Sequence, residues 1–135
     1  MKYGKRNVPI NDGKWHAICC IWLSHEGQYR IYKDGKVVVQ INGHGSQGET
    51  ILAGGTWVVG HDQDSLGGGF NANEMLLGKI ADVNIWDKEL SYSEIQEFSK
   101  SCQCKLRGNV KSWNNFTDAL KGKVRIVKRP TCRNV

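Results

Sequence analysis

The dipeptide Asp34-Gly35, set between QYRIYK and KVVVQ, constrains this chain more than any other feature of its sequence. Asp-Gly marks a two-residue hairpin turn with positive φ at both positions, a turn whose twist suits antiparallel strands. Tyr29 and Ile31 alternate with Arg30 and Tyr32, the pattern of a half-solvated sheet. Residues 15–23 and 28–39 therefore predict consecutive β-rich runs joined by the turn-like SHEG. Further short strands are expected at residues 50–52, 56–59 and 76–86, and two more within NVKSWNNF and KVRIVKR. One helix is expected near residues 91–99, where Ser91 and Glu94 form a capping box and Ile95 with Phe98 gives an apolar face. So short a helix must dock on a sheet to persist. Many short strands, Gly and Asp turns and a single helix predict an all-β, antiparallel β-sandwich.

The 135 residues, 39% of them hydrophobic, suffice for one small domain with a modest core. No apolar run has transmembrane length, no secretory leader is legible at Met1, and no repeat has a solenoid period. The formal charge of +6 hides a split. Residues 1–99 hold nine Lys/Arg against twelve Asp/Glu, whereas residues 100–135 hold ten against Asp118 alone. A basic tail attracts polyanions, and Lys121, Lys123, Arg125, Lys128 and Arg129 are its candidates for an acidic, heparin-like glycan; solvated basic surface is the plainer alternative. Nucleic acid is not expected as a partner.

The segment VVGHDQDSLGGGF, residues 58–70, leaves a β-branched run for two carboxylates, a glutamine and three glycines. It cannot be helical, since consecutive glycines and an Asp-x-Asp run both oppose the helix. It reads as a strand end opening into a loop that is either a plain acidic turn or an oxygen-rich cation site. An EF-hand fails on spacing: a loop starting at Asp62 puts Leu66 at a ligand position and Asn73 where the bidentate Glu belongs. Catalysis is not indicated. His16 and Cys19 fall on opposite faces of a strand without a third orienting group, and Asp62 with Asp64 lacks the surrounding carboxylates of a glycosidase strand. Asn115-Phe116-Thr117 is an N-glycosylation sequon at Asn115. Five cysteines, at positions 19, 20, 102, 104 and 132, make an odd count.

The order INDGKWHAICCIW, KDGK, VVGHDQDSLGGGF, LLGKIADVNIWDKELSYSEI and GNVKSW resembles pentraxin domains, from about residue 10 to residue 132. The resemblance implies a secreted, lectin-like jelly roll related to laminin-G domains. It is nearest to the neuronal-pentraxin and adhesion-receptor branch, and the chain is expected to hold the C-terminal portion of one such domain, with residues 100–135 closing the sandwich. It implies a Ca²⁺ site at Asp62, Gln63 and Asp64, with Asn71 and Glu74 at the positions of a second ion. It also pairs Cys102 with Cys132. The implied function is calcium-dependent recognition of an anionic or phosphorylated ligand, a phosphocholine-like group or an acidic glycan, in a homo-oligomer outside the cell. A metal-independent adhesion module of a larger mosaic protein is the alternative.

Overall fold

The computed structural model describes residues 8–43, 46–100, 104–118 and 120–127. Three strands, β1 (Ile18–Leu23), β2 (Gln28–Lys33) and β3 (Lys36–Ile41), form an antiparallel sheet in that order. The turn between β2 and β3 is the Asp34-Gly35 pair, with φ of 51° and 76°. A register shift between Ile31 and Tyr32 adds a bulge to the hairpin. Between β1 and β2 the chain makes a 3-10 turn, Ser24–Glu26, closed by left-handed Gly27.

The helix α1 (Tyr92–Lys100) begins as its sequence predicts. Glu94 Oε2 accepts the Ser91 N–H at 2.7 Å, and Ser91 Oγ accepts the Glu94 N–H at 3.3 Å. These bonds and Lys88, 3.0 Å away, hold the Glu94 carboxyl down to about 2. Ile95 faces the sheet and joins Ile21, Tyr32 and Leu90 in the core, with Cys19, Leu23 and Trp86 packed around them. Phe98 meets Trp86 edge-on at 6.1 Å between ring centroids. Gln96 reaches the hairpin tip, donating to the Gly35 carbonyl at 2.6 Å, and Arg30 of β2 pairs with Glu89.

NVKSWNNF differs from expectation: it contains a helix, α2 (Trp113–Thr117), rather than a strand. Asn115 Oδ1 accepts from both the N–H and the hydroxyl of Ser112, at 2.8 and 3.2 Å, and this local bonding turns the chain. Residues 50–52, 56–59 and 123–127 form no strand, the end of KVRIVKR (128–129) lies outside the described residues, and among the described residues segment 76–86 is bridged only at Ile85, opposite Lys111. A strand exists through its neighbour's hydrogen bonds, and among the described residues these runs have no ladder to join. Their apolar side chains stay open to solvent, as with Leu52 and Leu77.

A clamp not evident in the sequence fixes the start of β1. His16 lies between two carboxylates, Nδ1 2.8 Å from Asp34 Oδ2 and Nε2 3.0 Å from Asp12 Oδ1. The other Asp34 oxygen accepts the Ala17 N–H at 2.9 Å. Both partners only accept, so a neutral imidazole would aim a lone pair at one of them, and the cation is favoured. Asp34 first, then Asp12, raises the His16 pKa above its usual 6.5. The sign follows: this stabilisation is complete below the unfolded value and is lost as pH rises through the higher folded one. The urea midpoint should therefore fall as pH rises above the ordinary imidazole value of about 6.5, and His16→Gln should flatten that decline; an equal decline in both proteins would remove His16 as its cause.

Candidate metal site

The acidic loop is closed at its base by main-chain pairing. Leu76 N–H donates to the Gly60 carbonyl at 2.8 Å and Asp62 N–H to the Glu74 carbonyl at 3.4 Å, around a bridge between His61 and Met75. This pairing brings Glu74 next to Asp62 although the loop lies between them in sequence. One carboxylate oxygen from each of Asp62, Asp64 and Glu74 lies within 4.8 Å of the other two, and all three residues are exposed.

Glycine makes the loop compact. Gly69 has φ of 70°, and a Cβ there would lie 2.8 Å from the Asp64 Cβ and 3.1 Å from the amide nitrogens of Asp64 and Ser65. No other residue fits that approach without moving the acidic turn. Ser65 and Gly68 exchange main-chain hydrogen bonds, and the Phe70 ring lies tilted against His61 at 5.1 Å.

The two amide side chains serve the loop itself. Gln63 donates through Nε2 to the Thr56 carbonyl at 2.8 Å and accepts the Gly67 N–H on Oε1 at 3.0 Å. Asn71 Oδ1 accepts the Asn73 N–H at 3.1 Å, capping the 3-10 turn Ala72–Glu74 that carries the third carboxylate. Of the five residues expected to ligate calcium, Asp62, Asp64 and Glu74 converge by side chain, while Gln63 and Asn71 direct theirs to the backbone.

The donor set suits one hard cation. Two oxygens that bind the same Ca²⁺ at about 2.3–2.6 Å can be no more than about 5 Å apart, and the three carboxylates meet that limit.

The other expected positions are dispersed. Asn115 sits exposed in α2, and Lys121, Lys123 and Arg125 are exposed further along. Lys128, Arg129, Cys102 and Cys132 lie outside the described residues. Cys19, Cys20 and Cys104 are free thiols, and burial pushes that of Cys19 up to about 11. No described helix is long and apolar enough to cross a membrane.

Comparison with known proteins gives a coherent result. The Pentaxin family model matches residues 3–129. A Rattus norvegicus "Sushi, von Willebrand factor type A, EGF and pentraxin domain-containing protein 1" is 40% identical over 122 residues, which are 89% of this chain and 3% of that protein. Homo sapiens neuronal pentraxin-1 is 37% identical over 118 residues, 83% of this chain and 26% of that one. The crystal structure of a native heptameric SAP-like pentraxin from Limulus polyphemus superposes with a TM-score of 0.69 at 34% identity, over 78% of this chain and 48% of that one. The chain thus spans about a quarter or less of the two curated relatives and about half of the solved one. The fold is mostly β, with an antiparallel sheet and few helices, its structural neighbour is a pentraxin of jelly-roll fold, and the chain belongs to the pentraxin family.

Proposed function

We propose that this chain is an extracellular recognition module, not an enzyme, that binds an anionic ligand through Ca²⁺ held on the 62–74 loop. The single observation that carries the reading is the convergence of Asp62, Asp64 and Glu74 within 4.8 Å on a loop closed at its base. Asp62 and Asp64 with the Gln63 main-chain carbonyl make the first ligand set, and Glu74 completes it; Asn71 and Glu74 are the candidates for a second ion. A hard divalent ion with open coordination positions attracts phosphate or carboxylate oxygens, hence the choice of a phosphorylated group or an acidic glycan. We further assign residues 100–135 to closing the same domain, with Cys102 bonded to Cys132 and a glycan on Asn115.

Calcium titration by calorimetry tests the reading. The wild-type chain should bind at roughly 10⁻⁴–10⁻³ M, the range of extracellular modules, and the Asp62→Ala, Asp64→Ala double variant should lose that binding by at least about tenfold. A folded wild-type chain that evolves no heat would sink it. The result would then favour a metal-independent adhesion module of a mosaic protein, a reading supported by Gln63 and Asn71, whose side chains hydrogen-bond to the loop's own backbone. Binding of heparin-like polyanions by exposed Lys121, Lys123 and Arg125, with Lys128 and Arg129, is a separate surface function, recognisable by strong salt sensitivity.

A further inference from the structure

Of the ten asparagines in the chain, Asn42 alone is followed by glycine. Asn42 and Gly43 form an exposed bend just past the end of β3. Gly43 has φ of 64°, and a Cβ built there meets nothing within 4 Å, so the turn has free space around it. Asn42 Oδ1 accepts a hydrogen bond from Gln28 Nε2 at 3.1 Å, which polarises the carboxamide carbonyl. The next main-chain nitrogen belongs to a glycine, so no side chain obstructs its approach to Asn42 Cγ.

The same five-membered ring closure is open in principle to Asp12-Gly13 and Asp34-Gly35, and the structure guards both. Asp34 Oδ1 accepts the Ala17 N–H at 2.9 Å, Oδ2 lies 2.8 Å from His16 Nδ1, and a Cβ at Gly35 would come within 2.5 Å of Gln96 Nε2. Asp12 Oδ1 accepts the Lys14 N–H at 3.0 Å and lies 3.0 Å from His16 Nε2. The Lys14 bond first, then the His16 bond, holds the Asp12 carboxyl below its usual range. An ionised carboxylate with engaged oxygens is a poor electrophile, whereas a carboxamide can release ammonia.

We propose that Asn42-Gly43 is a site of spontaneous deamidation, converting Asn42 to aspartate and isoaspartate in the folded protein. The Gly43 nitrogen gives its proton to hydroxide and attacks Asn42 Cγ. The new N–Cγ bond forms, the Cγ–Nδ2 bond breaks, and the departing nitrogen takes a proton from water and leaves as ammonia. Water then opens the cyclic imide. Breaking the new N–Cγ bond gives aspartate; breaking the original peptide bond gives isoaspartate, whose main chain runs through Cβ and Cγ. No electrons are exchanged, and water is the only co-reactant. Isoaspartate adds a methylene to a link tied at both ends. Before it, Ile41 pairs with Tyr29; after it, Ser46 Oγ accepts from Trp22 Nε1 at 3.1 Å and Gly48 N–H donates to the Ser24 carbonyl at 2.9 Å. One of these anchors must loosen, so the modified chain is less stable. The inference is independent of the calcium reading.

The test holds the whole 135-residue chain at near-neutral pH and body temperature. Peptide mapping with electron-transfer fragmentation separates isoaspartate from aspartate. Product at position 42 should exceed isoaspartate at positions 12 and 34 by at least about tenfold, and its rate should rise with pH. In guanidinium the guarding bonds are lost, and isoaspartate at 12 and 34 should increase. Asn42→Gln, whose longer side chain closes a less favourable six-membered ring, should abolish product at that position. The isoaspartate form, isolated by ion exchange, should melt below the unmodified chain. Three results overturn the proposal: an intact Asn42 after prolonged incubation, product at 42 in guanidinium but not in the folded chain, or isoaspartate at 12 or 34 keeping pace with that at 42 in the folded chain. An unchanged melting point overturns the strain assigned to the lengthened link.

Discussion

Replacing Ile95 by alanine should lower the stability of the chain by about 3–4 kcal/mol, in the middle of the range for such truncations. Ile95 is 1% exposed and is the side chain on which α1 meets the sheet, contributing to one cluster with Ile21, Tyr32 and Leu90. Few other apolar side chains among the described residues are buried, so neighbours that could collapse into the space are scarce. Small domains hold about 5–15 kcal/mol in total, and the loss is a large share of that. Urea denaturation followed by circular dichroism would measure it. Tyr92→Ala, at an exposed position of the same helix, should change stability by less than about 0.5 kcal/mol. Equal effects at the two positions would mean that helix propensity, and not the core contact, holds α1 in place.

Gly108→Ala should be nearly as damaging, about 3 kcal/mol, by overpacking rather than by a cavity. A Cβ at Gly108 would overlap the Lys111 carbonyl oxygen and lie 2.5 and 2.6 Å from the Ile85 carbonyl oxygen and nitrogen. All three are main-chain atoms, so no side chain can swing aside. The bonds around this point fasten the basic segment to the fold: Gly108 N–H to Asn84 Oδ1 at 3.0 Å, Trp86 Nε1 to the Arg107 carbonyl at 2.9 Å, and Ile85 N–H to the Lys111 carbonyl at 2.8 Å. Thermal unfolding followed by intrinsic tryptophan fluorescence would report the loss. Gly78, where a Cβ meets nothing within 4 Å and φ is not in the left-handed region, supplies the comparison for a glycine substitution without a clash or backbone strain. Retention of the wild-type midpoint in Gly108→Ala would show that the 85–111 pairing yields easily.

What the sequence revealed depended on how local each determinant is. Asp34-Gly35 and the Ser91 and Glu94 pair were legible because a turn and a cap are decided by adjacent residues. Residues 50–52, 56–59 and 123–127 were not, because β-propensity makes no strand until a neighbour provides hydrogen bonds. The helix at Trp113–Thr117 left a faint signal in Ser112 and Asn115, a pair three apart like the cap of α1, outweighed by the apolar residues around it. In the candidate site, Asp62 and Asp64 announced themselves by composition. Glu74 reached the list by family resemblance, and its approach to them depends on the pairing of residues 60–62 with 74–76, which no short motif encodes. The engagement of Gln63 and Asn71 by the backbone, like the clamping of His16 by Asp12 and Asp34, needed coordinates.

The bond from Gln96 to the Gly35 carbonyl spans 61 residues of sequence. The hairpin tip it touches is built from its own turn and can form on the microsecond scale of isolated hairpins. The helix that finishes it must first close the intervening loop and meet that entropy cost before any contact repays it. Early order therefore belongs to β2 and β3, and the acidic loop is part of the chain whose ends are drawn together only when α1 arrives.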